Sequence, residues 1–204
     1  MNRREFVNTL ALGGAALGLA VPRSLPAAVP AGPRAGYFPN FELTAHTGRK
    51  VRFYDDLVRG KHVVINFIYT AGGDVCREYT ENLLEVYRLL GGMVGRDVFP
   101  CTITLDPKKD TPAVLAEWAR WFGVGPAWPF LTGQPAQLDL LRRKLGFAGP
   151  ETKPGMDMGQ HMGIALYGIE PLDRWTAIPV LSRPAFFAER VLSIRPPGKE
   201  AARG

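Results

Sequence analysis

Cys76 ends the stretch KHVVINFIYTAGGDVC, which starts at Lys61 and whose apolar run from Val63 to Tyr69 is broken only by Asn66. A run this short, rich in β-branched and aromatic residues, is that of a strand buried on both faces and interior to its sheet. Thr70-Ala71-Gly72-Gly73-Asp74 interrupts it and leaves Cys76 where a helix begins. Free N–H groups and the positive end of the helix dipole favour a thiolate there, so the sulfur is placed for redox or metal chemistry. The plain alternative is an inert cysteine at a helix start. A second chemical cluster lies far along the chain. Three of the five methionines fall within Met156-Asp157-Met158-Gly159-Gln160-His161-Met162. Thioether and imidazole are soft ligands suited to Cu(I), although methionine also packs well in irregular loops.

The elements that must position these groups alternate along the chain. Phe41 to Phe53 reads as a hairpin turning at Thr47-Gly48, ahead of the buried strand. After Cys76, the spacing of Tyr79, Leu83, Val86, Tyr87 and Leu90 predicts a helix that stops at Gly91-Gly92. Val98 to Leu105 is a second buried strand. In Asp106-Pro107-Lys108-Lys109-Asp110-Thr111-Pro112, Thr111 is placed as an N-cap and Pro112 as the first helical residue. Asp106 and Asp110 are then turn residues whose charges suit a helix start. That helix buries Val114, Leu115, Trp118 and Phe122. A short strand at Pro129–Leu131 and a helix opened by Pro135 follow. Residues 148–160, rich in Gly and Pro, form a long loop of the kind that is functional or disordered. Met162 to Ile169 and Arg174 to Ile178 form a closing hairpin, and a helix runs from Pro184 to Ser193. Strands alternating with helices imply an α/β sheet covered on both faces.

The ends differ from this domain. Arg3-Arg4, followed by the apolar, Gly/Ala-rich segment from Thr9 to Val21, resembles a twin-arginine export signal. The apolar part is shorter than the roughly 20 residues a membrane span needs. Residues 1–28 are thus expected to direct export to the periplasm, or to stay as an N-terminal membrane anchor. Residues 29–39 are a linker, 40–195 the domain and 196–204 a flexible tail. The formal charge is +6, of which the leader contributes three arginines against one glutamate, leaving about +4. No basic run interleaved with aromatics occurs, which argues against a nucleic-acid partner. Two cysteines are too few for a disulfide framework.

In this order, Asn66-Phe67-Ile68-Tyr69-Thr70, Asp74-Val75-Cys76, the run Asp106 to Pro112, and His161 before an apolar strand resemble the Sco/SenC family. These are thioredoxin-fold proteins that bind copper and help assemble cytochrome c oxidase. The resemblance spans roughly residues 40–193. It implies a thioredoxin-like α/β fold, with a central mixed sheet flanked by helices and an N-terminal hairpin. It also implies a copper site and a respiratory enzyme subunit that receives the copper. Family members present two cysteines four apart and a distal histidine as ligands. Here Cys76 and His161 match, whereas the first cysteine position is Gly72, the proline after it is Gly73, and Arg77 stands where a second proline is usual. Gln160 replaces the acid common before the histidine. A single thiol cannot close an internal disulfide with glycine, so the dithiol cycle is missing. The expected ligands are Cys76 and His161, with sulfur from Met158 or Met156 completing a site that favours Cu(I).

Two other functions compete with this one. A single-cysteine peroxidase or thiol oxidoreductase would use Cys76 alone, but Gly73 occupies the threonine position of a T-x-x-C motif and no C-x-x-C exists. A non-catalytic relative would keep the fold as a docking surface without metal. Cys101, in mid-strand, is expected to be a buried small hydrophobe. His46 and His62 read as surface or strand-edge residues, and Trp118, Trp121 and Trp128 as core and rim packing.

Overall fold

The computed structural model describes residues 32–147 and 163–195, which belong to one compact unit. The expected export leader at residues 1–28, Met156, Met158, His161, Met162 and the expected tail from 196 lie outside the described residues. The hairpin is present as β1 (Glu42–Ala45) and β2 (Lys50–Arg52). Its turn uses Gly48 at φ 83°, a left-handed conformation that costs glycine little. A π-helical turn at Phe53–Val58, which hydrophobic spacing did not announce, buries Phe53, Tyr54, Leu57 and Val58.

The chain then forms β3 (His62–Ile68), α1 (Gly73–Leu90), β4 (Phe99–Thr104), α2 (Pro112–Trp121), β5 (Phe130–Thr132) and α3 (Pro135–Lys144). β6 (Ile164–Ile169), β7 (Arg174–Pro179) and α4 (Pro184–Ser193) complete it. The seven strands make one mixed sheet in the order β2-β1-β5-β4-β3-β6-β7. β3 runs parallel to β4, and β4 to β5, while the other pairs are antiparallel. Parallel neighbours require a crossover, and α1 supplies it between β3 and β4.

Every residue of β3 is buried because both sheet faces are covered. Val63, Ile65 and Phe67 face a core built with Leu43, Val51, Leu131, Leu138, Leu141 and Phe147. Val64 and Ile68 face the opposite core, which contains Leu83 and Val86 of α1, Leu115 and Trp118 of α2, and Phe187 and Val191 of α4. Asn66, the one polar residue of the run, is paired in register with Thr102. Trp128 Nε1 donates to Thr102 Oγ1 at 2.8 Å, and that hydroxyl donates to Asn66 Oδ1 at 2.7 Å. The side-chain carbonyl is thereby satisfied, while Asn66 Nδ2 has no hydrogen-bond partner among the described residues. As expected, Thr111 caps α2, its hydroxyl accepting from Val114 N at 3.3 Å, with Pro112 as the first helical residue.

His62 departs from the edge position expected of it. It opens β3, pairs with Ile169 of β6 and is only 6% exposed. Neither ring nitrogen has a hydrogen-bond partner among the described residues. Burial, with a smaller contribution from the nearby Arg195 charge, pushes the imidazole pKa down from 6.5 to about 4. A base with a depressed pKa in the folded state contributes stability that is full above 6.5 and is lost as pH falls towards 4. The loss is on the order of 3 kcal/mol. Urea unfolding of His62→Leu across this window is expected to show an acid limb flatter by about that amount. An unchanged limb would place the acid sensitivity elsewhere.

Candidate functional site

β3 delivers the chain to Tyr69, and a tight turn, with Gly72 N donating to Tyr69 O at 3.0 Å, redirects it into α1. Gly73 opens the helix at φ 65°. The helix therefore begins three residues before Cys76, which sits inside its first turn. Helical side chains lean toward the N-terminus and cover the preceding turn. At Cys76 the residue being covered is Gly72, which has no side chain. An ideal Cβ placed on Gly72 would lie 2.3 Å from Cys76 Sγ and 3.1 Å from Cys76 Cβ. The sulfur thus occupies the volume that a side chain at position 72 would fill, and Cys76 has no exposed surface.

This burial works against the thiolate expected from the helix start. Desolvation raises the Cys76 thiol pKa, a backbone hydrogen bond at Tyr69 opposes the shift, and the Asp110 charge adds to it. The hydroxyl of Thr80, one turn on, donates to Cys76 O at 2.9 Å and accepts from Trp118 Nε1 at 3.2 Å, which ties α1 to α2.

Asp110 lies in the turn before α2, as expected, and it is fully buried there. The turn after β4, with Asp110 N donating to Asp106 O at 2.8 Å, folds its carboxylate back under the end of β3. There it accepts from Thr70 N at 3.2 and 3.3 Å and from the hydroxyls of Thr70 and Thr104. One carboxylate thus joins the loop leading to Cys76 to the end of β4. The available signal was a threonine just beyond β3 and another closing β4, donors with no obvious acceptor nearby in sequence.

Around this centre, the Arg77 guanidinium stacks on Trp121 at 4.2 Å from the ring centroid. Trp121 is 61% exposed, so it forms the rim, whereas Trp118 and Trp128 are core. A cleft of about 440 Å³ between Thr70 and α2 is lined by Val114, Glu117, Trp118, Arg120 and Trp121. The described chain resumes at Gly163, where an ideal Cβ would meet Tyr79 Oη at 3.2 Å. Tyr79 lies three residues after Cys76 on α1.

Cys101 is remote from this centre. It pairs with Ile65 in register and belongs to the core on the other face of the sheet. Burial pushes its thiol pKa up to about 12, and neither cysteine is in a disulfide. His46 is engaged elsewhere, its Nδ1 accepting from Phe130 N at 3.1 Å. Among the described residues no group of three His, Cys, Asp or Glu is arranged to hold a metal ion.

The SCO1/SenC family profile matches residues 31–167, two thirds of the chain. The chain belongs to the SCO1/SenC family. Among curated relatives it is 35% identical over 136 residues to the mitochondrial SCO2 homolog of Bos taurus, covering 65% of this chain and 49% of that protein. The chain thus spans about half the length of that relative. Its fold is similar to that of yeast Sco1 with copper bound, with a TM-score of 0.60 at 23% identity over 80% of this chain and 92% of the other. It is equally similar to copper-bound ScoI of Bradyrhizobium japonicum, with a TM-score of 0.60 at 24% identity over 76% and 97% of the two chains. These likenesses establish the thioredoxin-like fold of the SCO1/SenC family for this chain.

The Asp110 tie yields a stability prediction. Asp110→Ala leaves the Thr70 amide and two hydroxyls without their acceptor. It is expected to lower unfolding stability by roughly 1–3 kcal/mol in urea titrations. A loss below about 0.5 kcal/mol, typical of a surface change, would show that these donors find water instead.

Proposed function

We propose that this chain is a copper-binding accessory protein of respiratory oxidase assembly, holding or delivering copper through Cys76 and His161 with sulfur from Met158 or Met156. The observation that carries this reading is the convergence at Tyr79. Cys76 precedes it on α1, and the chain leaving the His161 segment resumes against its hydroxyl at Gly163. Family membership supports the reading, as do the copper-bound relatives of the same fold. Thiolate, imidazole and thioether together suit Cu(I), and a Cu(I) centre of this kind supplies a transferable soft cation. Ligation requires the Cys76 proton to leave, so binding releases a proton from a thiol that burial has made reluctant to ionise. The same reluctance weighs against a peroxidase or thiol oxidoreductase, whose attack needs the thiolate at rest.

Export fits this function, because an oxidase copper site outside the cytoplasm needs its copper there. Arg3-Arg4 and the apolar segment after them would direct residues 1–28 to the twin-arginine route. Among the described residues no helix is long and apolar enough to cross a membrane. The receiving partner in this reading is a copper-containing subunit of the oxidase.

Competition titrations with a Cu(I) chelator test the ligand set. Cys76→Ser and His161→Ala are each expected to weaken binding by more than about a hundredfold, beyond the usual cost of losing an outer-shell partner. Met156→Leu combined with Met158→Leu keeps the apolar bulk and is expected to cost about tenfold, or ~1.4 kcal/mol. Undiminished binding in the double leucine variant would return both methionines to packing. Equal binding in Cys76→Ser would mean that copper is held elsewhere, and no binding in the parent would favour the docking relative without metal. For the leader, Arg3→Lys with Arg4→Lys should leave the protein in the cytoplasmic fraction, and continued export would contradict the twin-arginine route.

A further inference from the structure

The seat of the Cys76 sulfur depends on an atom that Gly72 lacks. Cysteine in a helix chooses between two common χ1 rotamers, the third being rare because it strikes the preceding turn. In the structure the sulfur fills the volume over Gly72, 2.3 Å from where a Cβ would stand, and is wholly covered. No real Cβ is tolerated that close to a sulfur, so a side chain at position 72 and this seat exclude each other. The other contacts of that Cβ, 3.0 Å to Tyr69 O and 3.1 Å to Cys76 Cβ, require shifts of only a few tenths of an ångström. Rotation of the single Sγ atom is therefore the least costly response to a methyl group at position 72. Gly73, next in sequence, behaves differently. It is held at φ 65°, and a Cβ there would meet nothing within 4 Å. A substitution at Gly73 strains the backbone and leaves the seat open.

We propose that Gly72 is the positioning residue for Cys76: its missing side chain creates a sheltered seat for the sulfur, and a ligand or partner must draw the sulfur out by χ1 rotation. The chain thus has a closed resting state and an open reactive state of one side chain, separated without backbone rearrangement. Loss of the first cysteine position of the family motif has done more than remove a ligand. It has given the remaining thiol somewhere to retreat.

Alkylation by iodoacetamide in the absence of metal, quantified by peptide mapping as the ratio of Cys76 to Cys101 labelling, tests this. Cys101 is buried on the opposite face and reports general opening of the fold. Gly72→Ala is expected to raise the ratio at least tenfold at fixed pH, because the methyl group evicts the sulfur. Gly73→Ala is expected to leave it unchanged. A ratio that does not rise in Gly72→Ala, or that rises equally in Gly73→Ala, overturns the proposal. Because no metal is present, this result stands apart from the copper reading, which the Cu(I) titration decides.

Discussion

A buried carboxylate holds this site together. Asp110 is fully enclosed, and it accepts hydrogen bonds from Thr70 and Thr104, which lie at the ends of the two parallel strands at the heart of the sheet. An unpaired carboxylate in that position would be costly enough to unfold the loop. Its partners therefore fix the register of the β3 loop against the β4 turn, and with it the start of α1. The position of Cys76 follows from that start. The same carboxylate adds a smaller contribution to the upward shift that burial gives the Cys76 thiol.

Two opposing effects meet at Cys76. A helix N-terminus favours a thiolate by at most about 2 kcal/mol in partly buried geometry. Burial acts the other way and raises the thiol pKa. Exposure is the variable that decides between them, and exposure here is set by the glycine one turn earlier. A chemistry read from a cysteine's place in the chain thus depends on a residue that contributes no chemistry of its own.

Much of the fold was legible in the sequence because hydrophobic period and turn residues act locally. The composition of Val63 to Tyr69 marked an interior strand, and Thr111-Pro112 marked the start of α2. The N-terminal hairpin and the closing pair β6 and β7 were equally visible from their turns. Long-range closure was not visible. Asp110 reads as a turn residue with a helix-start charge until Thr70, 40 residues away in sequence, is brought beside it. His62 follows a lysine at a strand start, yet it pairs with Ile169 of β6 and is buried. The Cys76 position was found, but its covered state was not, since that depends on the volume Gly72 leaves. The Sco/SenC resemblance, and the fold it implied, came from motif order rather than from any one residue.

The central claim is that Cys76 is a copper ligand in spite of its buried resting state. Copper K-edge X-ray absorption of the Cu(I)-loaded protein tests it most directly, comparing the parent with Cys76→Ser. The account predicts sulfur and imidazole scattering in the parent, with the sulfur contribution clearly reduced in the variant. Spectra that superimpose would show that copper is held elsewhere and that Cys76 is a core residue.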